Sequence, residues 1–294
     1  NGGINELYVI GENPILSEAD AGRFEKALQK LEFFVAQDIF MTETARYADV
    51  VLPSACFAEK EGTFTNTERR VQKLNKVLDP PGLALPDWLI TCKIGLALGS
   101  KGFVFNSASE IMDEISSLTP SYGGMKHVRL EGAGLQWPCP DDNHPGTPTL
   151  HLKKFNTASG KAKFLPLKFR DSMELPDAEY PFLLTTERSM FHYHTATMTR
   201  KVSGLNELKQ FETVDISPED AEALGIKDGE DVRVASRRGT VQAKAKVTDA
   251  VSKGLVCMDF HFTESRTNLL TSPHVDPVAK IPEYKVCAVR VEKS

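Results

Sequence analysis

The sequence predicts an α/β domain with a parallel sheet, followed by a small β-barrel that contains one helix. In the first hundred residues, short apolar runs alternate with helix-like segments, which is typical of buried parallel strands covered by helices. Residues 180–294 instead hold alternating apolar and polar runs joined by tight turns, which is typical of antiparallel strands. A chain of 294 residues is long enough for two such domains, each with its own core.

We assign the α/β domain to residues 1–100, where apolar spacing defines the elements. Near-continuous apolar runs predict three buried strands, at 6–10, 31–36 and 48–52. Helical spacing of apolar residues predicts a helix over 18–30. A second helix opens at Asp87 and runs to about Leu98, because Gly99 provides a normal end.

Residues 101–175 are predicted to be an irregular connecting segment with a small hairpin near 150–165, because Pro, Gly and Asp cluster at 120–148. Residues 176–294 form the barrel domain. Apolar or alternating runs predict its strands, at 181–186, 231–236, 240–247, 254–260 and 285–291. Ser217 and Pro218 begin its helix, which Gly225 ends.

Composition excludes several classes of function. The net charge of −5 gives no reason to expect nucleic acid, which usually requires a basic face, and the apolar runs are too short to span a bilayer. The five cysteines are far apart and form no CxxC pair, so spacing supports neither an iron–sulfur cluster nor a zinc site. Scattered cysteines such as Cys257 and Cys287 are expected to be core residues in a reducing cytoplasm.

Polar residues collect where the predicted parallel strands end. Gly11, Glu12 and Asn13 follow the first strand, and Gln37 and Asp38 follow the second. A glycine lets backbone N–H groups approach a phosphate or a guanine, and an aspartate accepts hydrogen bonds from a ribose or a guanine. The pattern therefore indicates a sheet of the nucleotide-binding type. The alternative for the first group is an ordinary strand-to-helix turn.

Three further groups of polar residues extend this pattern. Thr42 can bind a phosphate or cap a helix. In the loop GTFTNTERR, at 62–70, Asn66 and Glu68 can bind N–H and carbonyl groups of a ligand, and Arg69 can bind a phosphate; the alternative is a surface loop with a salt-bridged arginine pair. Asp87 can accept two N–H donors from a guanine edge, which would separate guanine from adenine, or can simply begin a helix.

The segment TERSMFHYH, residues 186–194, follows a buried strand and contains Arg188, His192 and Tyr193. His192 and His194 point to the same side of an extended chain, a spacing that can bind a metal. A third ligand is not apparent, so we assign no metal ligand.

Beyond these patterns, the sequence closely resembles the molybdopterin oxidoreductases and, within that family, the catalytic subunit of formate dehydrogenases. The resemblance covers nearly the whole chain. It rests on GENP at 11–14, QDIFMTETA at 37–45, GTFTNTERR at 62–70, PDW at 86–88, HYH at 192–194 and PEYKVCAVRVE at 282–292.

The resemblance implies that the barrel is a double-psi β-barrel and that the chain binds a pterin guanine dinucleotide. It places Arg188 and His192 against the pyrophosphate and the pterin, and it favours ligand contact at Gln37, Asp38 and Asp87. The full set of cofactor-binding residues that it implies is Gly11, Glu12, Asn13, Gln37, Asp38, Thr42, Asn66, Glu68, Arg69, Asp87, Arg188, His192, Tyr193, Asn268, Tyr284 and Lys285.

The resemblance further implies the C-terminal half of a larger subunit, which fits a chain that starts at Asn1 rather than Met. The complete enzyme would interconvert formate and CO2 with two molybdopterin guanine dinucleotides that hold molybdenum or tungsten. A [4Fe–4S] cluster and the metal's protein ligand would lie on an N-terminal half, so no catalytic residue is expected here and the isolated chain should be inactive. Expected partners are that half and an iron–sulfur electron-transfer subunit.

Two alternatives remain open. One is another member of the same family, such as an assimilatory nitrate reductase. The other is a non-catalytic structural relative that holds its neighbours in place without the cofactor.

Overall fold

The computed structural model describes residues 3–294, so the expectation about Asn1 lies outside the described residues. Packing divides the chain into two compact units. The first unit combines residues up to Leu52 with residues 169–294, and the second unit comprises residues 53–168. These units differ from the segments 1–100, 101–175 and 176–294, whose boundaries stay a prediction.

The first unit begins with an open, three-stranded sheet, in the order β1-β2-β3. The strands are β1 (Glu6–Ile10), β2 (Phe33–Asp38) and β3 (Val50–Pro53). Strands β1 and β2 are parallel, with Glu6 opposite Phe33, which confirms the parallel sheet. Helices α1 (Pro14–Ser17) and α2 (Ala21–Leu28) cover one face, because Ile15 and Leu28 pack against Phe34.

The opposite face of this sheet is apolar and exposed. Successive residues of a strand point to opposite faces, so Tyr8 and Ile10 lie on the face away from Leu7 and Val9, which pack under the helices. Its exposed apolar side chains are Tyr8, Ile10, Phe33 and Val50, between 38% and 46% accessible. We refer to these four residues as the open face.

The second unit contains an antiparallel sheet in the order β4-β5-β6 and two helices. Its elements are β4 (Gly62–Thr65), β5 (Arg70–Leu74), α3 (Asp87–Ala97), α4 (Ala108–Leu118) and β6 (Leu135–Gln136). Helix α3 was predicted, but α4 was not. The signal for α4 was present, since Ser107 caps it by accepting a hydrogen bond from the Glu110 amide at 3.2 Å.

The predicted hairpin near 150–165 is wrong. The structure has no strand between these residues. The Gly-containing sequence forms only a turn, in which the Phe155 amide donates to the Gly160 carbonyl at 3.0 Å. The flanking chain does not pair, so the turn residues alone gave a false hairpin signal.

The first unit ends in a closed six-stranded barrel, in the order β10-β8-β11-β7-β12-β9. Its elements are β7 (Phe182–Thr186), α5 (Ser203–Leu208), β8 (Thr213–Ile216), α6 (Pro218–Leu224), β9 (Asp231–Ala235), β10 (Thr240–Val247), β11 (Leu255–Met258) and β12 (Cys287–Lys293). Two pairs, β10/β8 and β11/β7, are parallel, and the others are antiparallel.

The barrel matches the predicted small β-barrel, with strand β8 and helix α5 in addition. Ser217 caps α6 at the Asp220 amide, and Gly225 ends it with a φ of 65°, as predicted. Cys257 and Cys287 are buried and unpaired, which confirms them as core residues. Burial raises the pKa of Cys257 to about 11 and that of Cys287 to about 12.

Candidate functional site

The loop after β1 has an exposed tip. Gly11 adopts a φ of 64°, a left-handed conformation that favours glycine, and its amide donates to the Gln37 carbonyl at 2.8 Å. No atom lies within 4 Å of the place where a side chain would begin, and Glu12 is exposed. Gly11 and Glu12 therefore present backbone and carboxylate on an open surface at the carboxyl end of a parallel strand.

Asn13, by contrast, uses its whole side chain inside the protein. It is buried, and its Oδ1 accepts from the amide and the hydroxyl of Thr44 at 3.2 and 2.8 Å. Its Nδ2 donates to Glu43 at 2.7 Å and to the Thr197 hydroxyl at 3.3 Å. Asn13 thus joins the β1 loop to a segment 184 residues further along the chain.

The polar residues at the end of β2, and Thr42 after it, also make internal contacts. Gln37 is buried and accepts a hydrogen bond from the Tyr8 hydroxyl, and Asp38 accepts one from the Phe40 amide at 3.1 Å. The Thr42 hydroxyl accepts from the Ala45 amide at 3.1 Å, beside the short turn Ala45–Tyr47. Asp38 remains half-buried at the strand end, whereas Thr42 is buried.

Residues 188–194, which we call the Arg188 loop, follow β7 and contain no regular secondary structure. Arg188 is exposed, and its guanidinium makes no hydrogen bond or ion pair to the residues that the structure describes. Tyr193 is 78% exposed. Both side chains are therefore exposed to solvent, while the backbone of the loop is hydrogen-bonded to the protein, as at the Tyr193 amide, which donates to the Thr199 hydroxyl.

His192 is buried and engaged at both ring nitrogens. Its Nε2 lies 3.1 Å from the Lys209 carbonyl, and its Nδ1 lies 3.2 Å from the Thr199 hydroxyl. A carbonyl only accepts, so Nε2 carries the proton and Nδ1 accepts from Thr199. His192 is therefore a buried histidine whose two ring nitrogens are both hydrogen-bonded within the protein, which positions the Arg188 loop.

Charged groups of the β1 loop and the Arg188 loop are close enough to act on the same histidine. Burial lowers the pKa of His194, the positive charge of Arg188 lowers it further, and the carboxylate of Glu12 raises it. Charges act on one another only over short distances in a salt solution. Glu12, Arg188 and His194 thus share one surface of the first unit.

The barrel residues that the sequence singled out contact the start of the chain. Asn268 is buried, and its Nδ2 donates to the Leu16 carbonyl of α1 at 2.7 Å. Burial and the nearby Glu18 raise the pKa of the Tyr284 hydroxyl, and a hydrogen bond with the Ala19 backbone opposes them. Lys285 is exposed, and its Nζ donates to the Thr186 carbonyl at the end of β7.

The other predicted residues lie in the second unit. Asn66 and Glu68 form the tip of the β4–β5 hairpin, where Asn66 Oδ1 accepts from the amides of Glu68 and Arg70 at 3.0 Å each. The Arg70 guanidinium lowers the pKa of the exposed Glu68, with a smaller contribution from Asn66, and pairs with it at 2.6 Å.

Arg69 and Asp87 of the second unit both have partners. The Arg69 guanidinium donates to the carbonyls of Thr147 and Pro148, at 3.1 and 3.0 Å, and to that of Trp137, so it holds a neighbouring loop. Asp87, the first residue of α3, forms an ion pair with Lys60 and is about one-third exposed. Its carboxylate is thus partly accessible.

One cluster of ionisable residues was missed by the sequence reasoning. Glu212, Asp259 and His261 are almost fully buried, and Asp259 pairs with Lys209 at 3.1 Å. Burial raises the pKa of Glu212 well above its usual range, and the Asp259 carboxylate raises it further. Glu212 Oε2 has no hydrogen-bond partner among the described residues. The available signal was Asp259 and His261 standing inside the apolar run LVCMDFHF.

Two kinds of functional element are lacking in residues 3–294. No group of three or more His, Cys, Asp and Glu side chains there could hold a metal ion. No helix in the same range is both long enough and apolar enough to cross a membrane.

Comparison with known proteins gives matches at both ends of the chain. Residues 1–96 match the family described as "Molybdopterin oxidoreductase", and residues 182–288 match "Molydopterin dinucleotide binding domain". The chain is 51% identical, over 99% of its length, to the F420-dependent formate dehydrogenase subunit alpha of Methanocaldococcus jannaschii, and covers 43% of that protein. It is 38% identical, over 99% of its length, to the assimilatory nitrate reductase catalytic subunit of Bacillus subtilis, and covers 42% of it.

Among solved structures, the chain resembles an acetylene hydratase from Pelobacter acetylenicus, with a TM-score of 0.79 at 17% identity. The match covers 99% of this chain and 44% of that protein, and shows the fold alone. The chain thus spans less than half the length of the proteins that it matches.

Proposed function

We propose that this chain, which belongs to the molybdopterin oxidoreductase family, binds molybdopterin guanine dinucleotide as the C-terminal part of a formate dehydrogenase catalytic subunit. The observation that carries the proposal is the meeting of two distant segments in the first unit. The Asn13–Thr197 hydrogen bond joins the β1 loop to the segment after β7. Glu12 of the first segment and Arg188 of the second both lie close enough to His194 to shift its pKa. A dinucleotide needs such a surface, with backbone amides and an available cation for its phosphates.

Arg188 is the group best suited to the pyrophosphate. Its guanidinium is exposed and lacks a carboxylate partner among the described residues, so it can bind a phosphate with two parallel hydrogen bonds. Gly11 and Glu12 would contact the nucleotide from the β1 loop, with Gln37 and Asp38 at the next strand end. Tyr193 and Lys285 are exposed and are proposed as further contacts.

The buried residues of the predicted set take a supporting role in this proposal. The side chains of Asn13, Thr42, His192 and Asn268 are buried and satisfied by protein groups. They would hold the loops that present the contacts, as would Tyr284 beside α1. In the second unit, Arg69 would likewise fix a loop, while Asn66, Glu68 and Asp87 would contact the pterin and the guanine.

We further propose that the barrel is a double-psi β-barrel. A closed six-stranded barrel with two parallel pairs, β10/β8 and β11/β7, supports this topology. We also propose that the three-stranded sheet, in which β1 and β2 are parallel, is of the nucleotide-binding type, because its polar residues gather at the carboxyl ends of these two strands.

In the complete enzyme, we propose two molybdopterin guanine dinucleotides holding molybdenum or tungsten, and interconversion of formate and CO2. When bound, this cofactor supplies the two-electron redox chemistry, and the residues named above supply binding and orientation. The two electrons would pass to iron–sulfur centres elsewhere in the enzyme and on a partner subunit. The name of the 51%-identical relative favours F420 as the final acceptor.

Further observations bear on the partners of the chain, on the two alternative functions and on its location. Parallel sheets are usually covered on both faces, so the open face supports a further part of the polypeptide as its cover. The identity of 51% to a formate dehydrogenase against 38% to a nitrate reductase favours the former. The available Arg188 argues against a structural relative without cofactor. The unpaired, scattered cysteines support a cytoplasmic location as part of the proposal.

Asp87 provides the test. In the complete enzyme, Asp87→Ala would leave guanine N–H donors unpaired, at a cost of about 1–3 kcal/mol, or roughly 5- to 150-fold in cofactor retention. Guanine nucleotide released on denaturation is counted per chain.

The matched control is Asp79→Ala, because Asp79 also pairs with a lysine of the second unit, Lys76, at 2.6 Å but is fully exposed. Retention equal to wild type in both variants would remove Asp87 from the site. Wild-type enzyme without guanine nucleotide would overturn the proposed function.

A further inference from the structure

One imidazole closes the Arg188 loop at both of its ends. His261 Nε2 accepts the Ser189 amide at 2.9 Å, and His261 Nδ1 donates to the His194 carbonyl. The residues between these two contacts form no regular structure, so their backbone lacks the hydrogen bonds of a helix or a strand. One side chain from the segment after β11 therefore holds both ends of the loop, while His192 and the Thr199 hydroxyl hold its middle.

These two contacts require an uncharged ring. An amide only donates and a carbonyl only accepts, so Nε2 must carry a lone pair while Nδ1 carries the proton. A second proton on Nε2 would face the Ser189 N–H group and break that bond. Asp259 Oδ1 lies 3.6 Å from this nitrogen.

The surroundings of His261 favour the uncharged form. Burial lowers its pKa, and the positive Lys209 and the neighbouring His192 act in the same direction; the His194 carbonyl and the Asp259 carboxylate oppose them. Lys209 comes from the end of α5 and is itself paired with Asp259. Glu212, before β8, contributes a carboxyl group that bonds the Asp259 amide at 3.0 Å.

We propose that His261 is a positioning residue for the dinucleotide: its uncharged ring fixes the Arg188 loop, and a proton on Nε2 releases it. The proposal rests on the proposed function, since it assigns the loop's purpose as presenting Arg188 to the pyrophosphate. It adds to that function a residue that touches no ligand and that makes cofactor retention depend on pH.

The direction of this dependence follows from linkage. A histidine with a lowered pKa in the folded protein contributes stability that is fully present above its ordinary pKa, about 6.5, and is lost as the pH falls below it. The fixed loop should therefore loosen on acidification, and the dinucleotide should leave faster.

Three substitutions in the complete enzyme separate the two contacts. His261→Gln places an amide oxygen near Nε2 and can keep the Ser189 contact; His261→Asn places an amide N–H near Nδ1 and can keep the His194 contact. His261→Phe keeps the ring and removes both. Backbone hydrogen exchange over residues 188–199 and guanine nucleotide retained after incubation are measured from pH 5 to pH 8.

At pH 8, we expect His261→Phe to raise exchange in the Arg188 loop and to lower retention by about tenfold, equivalent to one lost buried contact. The difference from wild type should shrink as the pH falls, because the wild-type contact is then lost as well. Wild type should lose nucleotide faster as the pH falls, while His261→Gln should be nearly independent of pH. His127→Phe is the control, because His127 is also buried but lies in the second unit.

Unchanged loop exchange in His261→Phe would overturn the proposal, whatever the retention. If that variant does not fold, a pH dependence of His261→Gln identical to wild type would overturn it. The guanine nucleotide content of wild type is measured before any variant is compared. A wild-type enzyme without guanine nucleotide would overturn the proposed function rather than the role of His261.

Discussion

The barrel and the three-stranded sheet of the first unit differ in how completely they bury their apolar side chains and pair their strand edges. The barrel closes on itself, so its strands have no free edge and its inner side chains, such as Leu184 and Ile216, are fully buried. The sheet is open, and only the face under α1 and α2 is packed. The barrel is thus complete within the described chain, whereas the sheet still presents an apolar surface. Stability should therefore depend on the barrel, and association on the open face.

The largest effect should follow from a cavity in the barrel. Ile216→Ala removes fully buried methyl groups and should lower the free energy of unfolding by about 2–5 kcal/mol. Ile10→Ala removes the same atoms from the open face, where the side chain is 46% exposed, and should cost under about 1 kcal/mol. Urea unfolding of both variants gives the comparison. Equal costs would show that the sheet is as self-contained as the barrel.

A buried carboxyl group should make the barrel sensitive to pH in the alkaline direction. The pKa of Glu212 is raised in the folded protein, so its burial costs nothing below its ordinary pKa and destabilises increasingly as the pH rises above it. Glu212→Gln mimics the protonated form. It should be near neutral at pH 4.5 and stabilising at pH 7, by at most about 1.4 kcal/mol per pH unit.

Thermal unfolding of wild type and Glu212→Gln across this pH range provides the measurement. Glu219→Gln is the control, because Glu219 is exposed in the same domain and pairs with Lys253 on the surface. A constant difference between wild type and Glu212→Gln would mean that Glu212 is ionised in the folded state at all of these pH values.

The smallest effect on stability should come from the open face itself. Phe33→Ser together with Ile10→Ser should change the free energy of unfolding by about 1 kcal/mol or less, since neither side chain is buried. The same pair should reduce the fluorescence of a bound apolar dye such as ANS, because a contiguous patch is lost. Val278→Ser, at an isolated exposed residue, should leave the dye signal unchanged.

The elements of both regions could be read from the sequence where one period dominates. Apolar runs indicated β1 and β2, although β1 is half exposed rather than buried, and the alternation in DVRVA and TVQAKAKV indicated β9 and β10, with boundaries shifted by a few residues. Strand β8 was missed because TVDI is short and follows a polar stretch. Helix α4 was missed because the stretch rich in Pro and Gly that follows it, residues 120–148, indicated irregular structure for the whole segment 101–175.

The roles of individual site residues were harder to predict than their positions. Asn13 and His192 are polar residues in loops, and local sequence does not tell whether such a residue faces a ligand or a distant backbone group. The Asn13 partner Thr197 lies 184 residues away, and the His192 partner Lys209 becomes a partner only through the fold. The ligand contacts of the sixteen named residues remain proposals for the same reason.

The contacts between the barrel and helices α1 and α2 have a consequence for biosynthesis. Arg266 pairs with Glu25 across 241 residues at 3.0 Å, and Asn268 holds the Leu16 carbonyl across 252 residues. At roughly 5–20 residues per second, the first helices wait about 10–50 s on the ribosome before these partners are synthesised. The second unit, residues 53–168, is synthesised in that interval. The start of the chain is therefore among the last parts to be fixed, and a pause between residues 52 and 266 would lengthen the time during which its apolar strands are uncovered.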